Sequence, residues 1–202
     1  MIAIIDYGAG NLKSVKNALD KLGASSLITG NPKEILRADR LILPGDGSFG
    51  FLMNSLREKR LINPIKEFIK SGKPFLGICL GLQALFEDSE ESPGIKGLCL
   101  LRGKVIKFRR GKVPQIGWNK IICKKNISSR NIFFGNSYVY FVNSYYADPA
   151  DKSIALGSSD YYTRFCSAII WKNVLATQFH PEKSGNAGIE MLRRWIKCLQ
   201  KE

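Results

Sequence analysis

Histidine is almost missing from this sequence, whose 202 residues contain a single one, His180. A metal site built from several histidines is therefore excluded. The cysteines are odd in number and widely spaced, with no C-x-x-C pair: Cys79, Cys99, Cys123, Cys166 and Cys198. That spacing fits neither a zinc site nor a disulfide framework. We therefore expect no metal and a reducing, cytoplasmic location.

Long apolar runs and acidic residues are also scarce. No apolar stretch reaches the length of a membrane span, and residues 1–6 lack the basic leader of a signal peptide, so no membrane segment is expected. The 17 acidic residues against 31 basic ones give a net charge of +14. Such a charge is typical of a nucleic-acid surface, a docking surface for an acidic partner, or a lysine-rich solvated surface. Because the basic residues are scattered and not interleaved with aromatics, we expect no nucleic-acid binding.

The first half contains a regular alternation of short apolar strands and amphipathic helices. Strands are predicted at 2–5, 26–29, 40–43 and just after 73, with helices between them at about 12–22, 32–36, 51–57 and 64–70. This alternation predicts an α/β fold with a doubly wound, mostly parallel sheet. Binding sites in such sheets lie outside the C-terminal ends of the strands. We therefore expect residues 6–10, 45–47 and 79 on one rim.

The second half is rich in predicted strands, at 98–108, 115–123, 139–145, 154–157, 165–171 and 174–178. Its one clear helical pattern is the final segment, Ala187 to Leu199. No linker or repeat interrupts the chain. Its length predicts a single domain over residues 1–202.

The segment that connects the fourth strand to the next helix reads Gly77-Ile78-Cys79-Leu80-Gly81. Glycines on both sides of a central residue are typical of a nucleophile elbow, a sharp strand-to-helix turn that exposes the side chain at its apex. The thiol would also face a helix N-terminus, which favours a thiolate. The alternative is a buried structural cysteine at a strand end. The pentapeptide alone leaves both interpretations open.

A thiol nucleophile requires a general base, usually a histidine oriented by a third group. His180 follows a predicted strand, and Pro181 keeps the backbone extended, so that His180 and Glu182 can project to the same side. A carboxylate there can accept from one ring nitrogen and leave the other for the thiol. The sequence therefore predicts a triad of Cys79, His180 and Glu182.

These segments resemble the paired signature of class I glutamine amidotransferases, G-I-C-L-G-L-Q at 77–83 with Q-F-H-P-E at 178–182. Further blocks are similar to the glutaminase subunits of imidazole glycerol phosphate synthase: D-Y-G-A-G-N-L at 6–12, L-P-G at 43–45, G-W-N at 117–119, Y-F-V at 140–142, S-Y-Y at 144–146 and E-K-S-G at 182–185. The blocks span nearly the whole chain. The resemblance implies a flavodoxin-like amidotransferase fold.

The resemblance also implies hydrolysis of glutamine to glutamate and ammonia, without a cofactor. Cys79 would attack the side-chain amide carbon, while His180 would move the proton and Glu182 would orient His180. The N–H of Leu80 and a second amide from the 45–47 loop would bind the oxyanion. By similarity, the residues that hold glutamine are Gly47, Gln83, Ser144 and Tyr145. From the residues alone, Gln83 is equally a solvated helix position, and Tyr145 a core aromatic.

In the family, the ammonia passes to a cyclase subunit with a (β/α)8-barrel fold, in histidine biosynthesis. The resemblance therefore implies a heterodimer with such a barrel. Three positions depart from the family pattern: Gln115 and Asn143 replace usual histidines, and Asp46 replaces a small apolar residue between two glycines. A carboxylate near a developing oxyanion is repulsive unless it points away or meets a basic side chain. These departures leave the triad intact and bear on the identity of the partner.

Three alternatives remain beside the histidine-pathway interpretation. A paralogous glutaminase subunit could supply ammonia for amidino sugars of surface polysaccharides. A catalytically silent binding or regulatory module could keep the fold, although no triad residue is lost. A stand-alone cysteine hydrolase could use the same elbow on substrates other than glutamine.

Overall fold

A computed structural model describes residues 1–123 and 137–198 of the protein. The first half alternates strands and helices as the sequence predicts: β1 (Ile2–Ile5), α1 (Leu12–Lys21), β2 (Ser26–Thr29), α2 (Pro32–Arg37), β3 (Arg40–Leu43), α3 (Phe49–Glu58), α4 (Ile62–Lys70), β4 (Phe75–Ile78) and α5 (Leu80–Gln83). The remaining strands and α-helix are β5 (Asp88–Ser89), β6 (Gly103–Lys107), β7 (Gln115–Cys123), β8 (Ser137–Asn143), β9 (Tyr145–Pro149), β10 (Ala155–Asp160), β11 (Arg164–Trp171), β12 (Val174–Thr177) and α6 (Gly185–Cys198). Short 3-10 helices lie at Lys152–Ile154 and Pro181–Lys183.

Nine strands form one sheet in the order β2-β1-β3-β4-β12-β11-β10-β7-β8. The strands from β2 to β12 in this order are parallel, and those beyond β12 pair antiparallel. Every residue of β1, β3, β4 and β12 is buried, as expected for parallel strands whose two faces are both covered. The predicted α/β fold with its doubly wound sheet is confirmed.

The second half corrects two predicted strands. Residues 98–102 are not strand, because the N–H groups of Leu98, Leu100 and Leu101 donate to the Ala84 and Leu85 carbonyls that follow α5. The predicted strand at 139–145 breaks at Ser144: β8 joins the large sheet, whereas β9 pairs with β6 in a separate sheet of β5, β6 and β9. A break at this point turns Ser144 and Tyr145 toward the ends of the parallel strands.

The final helix, α6, covers the large sheet. Its most buried side chains are Met191, Leu192 and Trp195, while Ile189 and Ile196 are partly buried beside them. Leu199, the last residue of the predicted helix, lies outside the described residues. Within residues 1–123 and 137–198, no helix is long and apolar enough to cross a membrane. The single domain over residues 1–202 stays a prediction.

Candidate active site

Cys79 stands at the junction of β4 and α5, at the C-terminal end of a central parallel strand. Its backbone adopts φ 54° and ψ −106°, a region that a residue with a side chain seldom occupies. The turn is held on both sides: Cys79 N–H donates to the Thr177 carbonyl at 2.7 Å, and the Cys79 carbonyl accepts from Leu82 and Gln83. Such strain persists only where the surrounding structure enforces it. The predicted elbow is present.

Two glycines allow the elbow to pack against the loop that follows β3. A Cβ added at Gly81 would lie 1.9 Å from the Leu43 carbonyl oxygen. One added at Gly45 would lie 2.3 Å from Leu80 Cβ and 2.6 Å from Leu80 N. Neither position has room for a side chain. The close approach brings the 45–47 loop beside the first amide of α5.

His180 and Glu182 lie where β12 ends, and β12 pairs in parallel with the elbow strand β4. His180 Nδ1 is 2.8 Å from Glu182 Oε1, and their side chains are 8% and 1% exposed. The backbone is anchored, because His180 N–H donates to the Tyr140 carbonyl and the Ser184 hydroxyl donates to the His180 carbonyl. This leaves Nε2 of the ring for the thiol of Cys79.

The electrostatic balance at His180 favours the imidazolium. Burial lowers the pKa of His180, but hydrogen bonds to Cys79 and Glu182, together with the negative charges of these two groups, outweigh burial and raise that pKa well above 6.5. A protonated imidazole held against a sulfur can donate its proton to a departing amine. The arrangement therefore suits a step in which a leaving group must be protonated.

A pocket of about 250 Å³ opens beside Cys79 and His180. It also receives the residues predicted to bind the oxyanion or the substrate, namely Gly47, Leu80, Gln83, Ser144 and Tyr145. Glu182 lies behind His180 and does not line it. The remaining lining residues are Gly45, Asp46, Glu91, Pro114, Val142, Asn143 and Lys183. All the predicted site residues thus meet at one rim.

Gln83 is 2% exposed, so the alternative of a solvated helix position is wrong. Its Nε2 donates to the Tyr145 carbonyl and to Gln178 Oε1, both at 3.1 Å. Its Oε1 has no hydrogen-bond partner among the described residues. Tyr145 lines the pocket and also packs against the hydrophobic core, so its position fits both the substrate-binding role and the role of a core aromatic.

The loop after β3 is held mainly by hydrogen bonds. The Tyr7 hydroxyl accepts from Asp46 N–H at 3.1 Å and lies 3.3 Å from the Asp46 carbonyl oxygen. The Asp46 carboxylate is exposed and accepts the N–H of Gly47 at 3.0 Å. Asp46 itself is one of the residues that line the pocket. An oxyanion role for either loop amide requires the present bond to break first.

The other two departures from the family pattern lie opposite each other in the β7–β8 pair. Gln115 and Asn143 are register partners and are 3% and 5% exposed. Asn143 Nδ2 donates to the Tyr145 carbonyl at 3.0 Å, so this amide helps to hold the wall of the pocket. Neither side chain titrates.

Sequence reasoning missed Gln178, whose Nε2 lies 3.5 Å from Cys79 Sγ. The alternation of side chains along a strand could have found it, because Gln178 precedes His180 by two residues. It also missed Glu91, which lines the pocket while its carboxylate accepts the N–H of Phe49 at the start of α3. That contact joins residues 42 positions apart and has no local pattern. Across the described ranges, no three His, Cys, Asp or Glu side chains could hold a metal ion together.

Comparison with known proteins identifies the family of the chain. The family model described as glutamine amidotransferase class-I matches residues 3–198. A protein from Methanothermobacter thermautotrophicus named imidazole glycerol phosphate synthase subunit HisH is 47% identical, covering 99% of this chain and 100% of its own length. A Dehalococcoides mccartyi protein of the same name is 46% identical over 98% and 97%.

Solved structures share the fold at low sequence identity. A glutamine amidotransferase crystal structure superposes with a TM-score of 0.78 at 17% identity, covering 98% of both chains. A chain in the structure of PurLQS from Thermotoga maritima gives 0.75 at 19%, again over 98% of both. These likenesses concern the fold alone.

Proposed function

The chain belongs to the class I glutamine amidotransferase family, among the HisH subunits of imidazole glycerol phosphate synthase, and from this membership we propose that it hydrolyses glutamine to glutamate and ammonia for histidine biosynthesis. The observation that carries the proposal is that His180 lines one pocket with the elbow cysteine while its Nδ1 lies 2.8 Å from the buried Glu182. The names of the relatives favour this pathway over ammonia supply for amidino sugars. We place the reaction in the cytoplasm.

The proton of the Cys79 thiol passes to His180 Nε2, and the resulting thiolate attacks the carboxamide carbon of glutamine. The tetrahedral oxyanion is stabilised by Leu80 N–H, which is unused within α5 because it belongs to the first residue of the helix. His180 then protonates the leaving nitrogen, so that ammonia departs and a thioester forms. A water molecule, deprotonated by His180, attacks the thioester and releases glutamate. Glu182 keeps the ring oriented throughout.

The substrate sits in the 250 Å³ pocket. Gln83 also lines the pocket, and its Oε1 is buried without a hydrogen-bond partner among the described residues. Ser144 and Tyr145 line the side wall, and Gly47 lines the side of the 45–47 loop. The pairing of polar groups with a buried thiol fits a small polar amide.

The test compares glutamate production by the wild type and Cys79→Ala, each bound to its cyclase partner. We expect the substitution to lower kcat by about 10³-fold or more, because it removes the nucleophile. Cys99→Ala is the matched control, since Cys99 is exposed and lies outside the pocket lining. Unchanged turnover in the Cys79 variant would overturn the proposal. Rescue of a histidine auxotroph lacking the native subunit tests the pathway, and a stable complex that fails to rescue contradicts it.

The partner is a (β/α)8-barrel cyclase that receives the ammonia. An apolar face on the β7–β8 pair supports a docked protein there: Ile116, Trp118, Tyr138 and Val142 are 64%, 55%, 63% and 36% exposed. The register places them on one side of the sheet, and Val142 also lines the pocket. Exposed apolar patches of this kind mark interaction sites.

Replacing Trp118 by Ala is expected to weaken copurification with the barrel at least about 10-fold, because central aromatic residues dominate interfaces. Tyr162→Ala is the control, since Tyr162 is 67% exposed and lies in the turn between β10 and β11. If both variants retain the barrel equally well, the β7–β8 face is not part of the interface.

A further inference from the structure

A side chain to which the sequence assigned no role, Gln178, reaches the sulfur of Cys79. Gln178 is fully buried, and its Nε2 lies 3.5 Å from Cys79 Sγ. Its backbone N–H donates to the Ser167 carbonyl at 2.9 Å, directly after the end of β12. Its backbone is therefore fixed by the sheet and its side chain by the contact with the sulfur.

The direction of the Gln178 amide follows from its neighbours. The backbone carbonyl of Tyr145 can only accept, so Gln83 must present its Nε2 to that oxygen. The same Nε2 lies 3.1 Å from the side-chain oxygen of Gln178, which leaves the NH₂ group of Gln178 facing Cys79. The Tyr145 carbonyl thus fixes the orientation of the Gln83 amide, which in turn fixes the orientation of the Gln178 amide beside Cys79.

We propose that Gln178 donates a hydrogen bond to the sulfur of Cys79 that strengthens as the thiol loses its proton, and that Gln83 positions Gln178 to do so. Hydrogen bonds to an ionised partner are about twice as strong as neutral ones. Burial adds to this, because Gln178 is fully buried and Cys79 is only 7% exposed. The thiolate is then stabilised from two sides, by His180 and by the Gln178 amide. The inference rests on the proposed function, in which Cys79 is the nucleophile, and adds a catalytic residue outside the triad.

The test measures alkylation of Cys79 by iodoacetamide as a function of pH, without glutamine. The product is quantified on the peptide that contains Cys79, because the chain has four other cysteines. Gln178→Glu keeps an acceptor for Gln83 but sets a negative charge beside the sulfur. We expect its alkylation rate at neutral pH to fall about 10-fold or more, with the midpoint of the rate–pH curve moved upward by about one unit.

Gln178→Met removes the donor without adding charge, and a fall of about 5-fold in the same direction is expected. Gln83→Met, which frees the orientation of Gln178, gives a smaller fall. Ser159→Ala is the matched control: it also loses a buried hydrogen bond, to Ser167, but outside the pocket. Its alkylation curve should equal that of the wild type. Circular dichroism verifies folding, and Gln178→Met decides the outcome if the Glu variant unfolds.

With glutamine and the partner present, Gln178→Met should lower kcat while KM changes less than about 2-fold, because the contact is with the nucleophile. Wild-type alkylation curves in the folded Gln178 variants would overturn the inference. Slowed alkylation in a protein that lacks glutaminase activity would support the inference and contradict the proposed function. The experiments can therefore contradict the role of Gln178 without contradicting the proposed glutaminase function, and the reverse.

Discussion

Two loops border the pocket, and they are held in different ways. The elbow from Cys79 to Gly81 is fixed by close packing and backbone bonds, with no space even for a methyl group at Gly81. The loop from Gly45 to Gly47 is held by Tyr7 and by the carboxylate of Asp46, and its last two residues are exposed. Packing cannot be released without unfolding, whereas hydrogen bonds at a surface exchange with water. The nucleophile and Gly45, which packs against Leu80, are therefore preorganised, whereas Asp46 and Gly47 are held by hydrogen bonds that can exchange.

The largest effect on stability and activity is expected for Gly81→Ala, which disrupts the close packing of the elbow. The new methyl group would meet the Leu43 carbonyl at 1.9 Å, so the backbone of the elbow or of β3 must move. We expect a loss of about 4 kcal/mol in the free energy of unfolding, measured by urea denaturation, together with loss of glutaminase activity. Gly72→Ala is the control: a Cβ there meets nothing within 4 Å, and a φ of +80° costs only about 1 kcal/mol. Equal losses in the two variants would show that the elbow is not tightly packed.

The pH dependence of stability is expected to come from His180, which borders the elbow side of the pocket. The folded-state pKa of His180 lies above 6.5, so the stability it contributes is complete below pH 6.5 and is lost as the pH rises toward the folded value of about 10. Across this window the wild type should lose up to about 1.4 kcal/mol per pH unit relative to His180→Gln, whose amide can still donate to Glu182. Urea denaturation at successive pH values measures the difference. Parallel curves would contradict the raised pKa.

The smallest effect is expected for Tyr7→Phe. The ring is buried and remains packed, while the hydrogen bonds to the Asp46 backbone are lost. Burial raises the pKa of Tyr7 to about 12, so this anchor persists across the window in which His180 titrates. A loss of about 1 kcal/mol, equal at each end of that window, is expected in urea denaturation. A loss as large as that of Gly81→Ala would show that the loop is packed as rigidly as the elbow.

Local patterns predicted most of the elbow and little of the loop. The strand-to-helix switch and the flanking glycines lie within one short segment, where backbone geometry dictates the placement of side chains. His180 and Glu182 do meet, but the expected extended backbone at Pro181 was wrong, because Pro181–Lys183 form a 3-10 helix. The anchor of Asp46 comes from Tyr7, 39 residues away, and no periodicity connects the two. The sequence also did not predict that the carboxylate of Asp46 accepts the N–H of Gly47.

In the second half of the chain, contacts between residues distant in the sequence explain why the observed strands differ from the predicted ones. The apolar residues at 98–102 satisfy a strand pattern, yet their N–H groups are used by the chain after α5. Gln178 shows the same limit within the site. Its spacing from His180 could have placed it near Cys79, but the direction of its amide depends on Gln83 and the Tyr145 carbonyl. Hydrogen-bond polarity of this kind is a property of the assembled fold.

The solitary histidine has a practical consequence. Because His180 is the only imidazole in the chain, its ring resonances in an NMR spectrum arise from the site alone and need no assignment by mutagenesis. Their chemical shifts report the proton on His180 directly, and their broadening reports exchange at the pocket when glutamine or a partner is added. The protein thus carries its own spectroscopic probe at the atom where the proposed chemistry takes place.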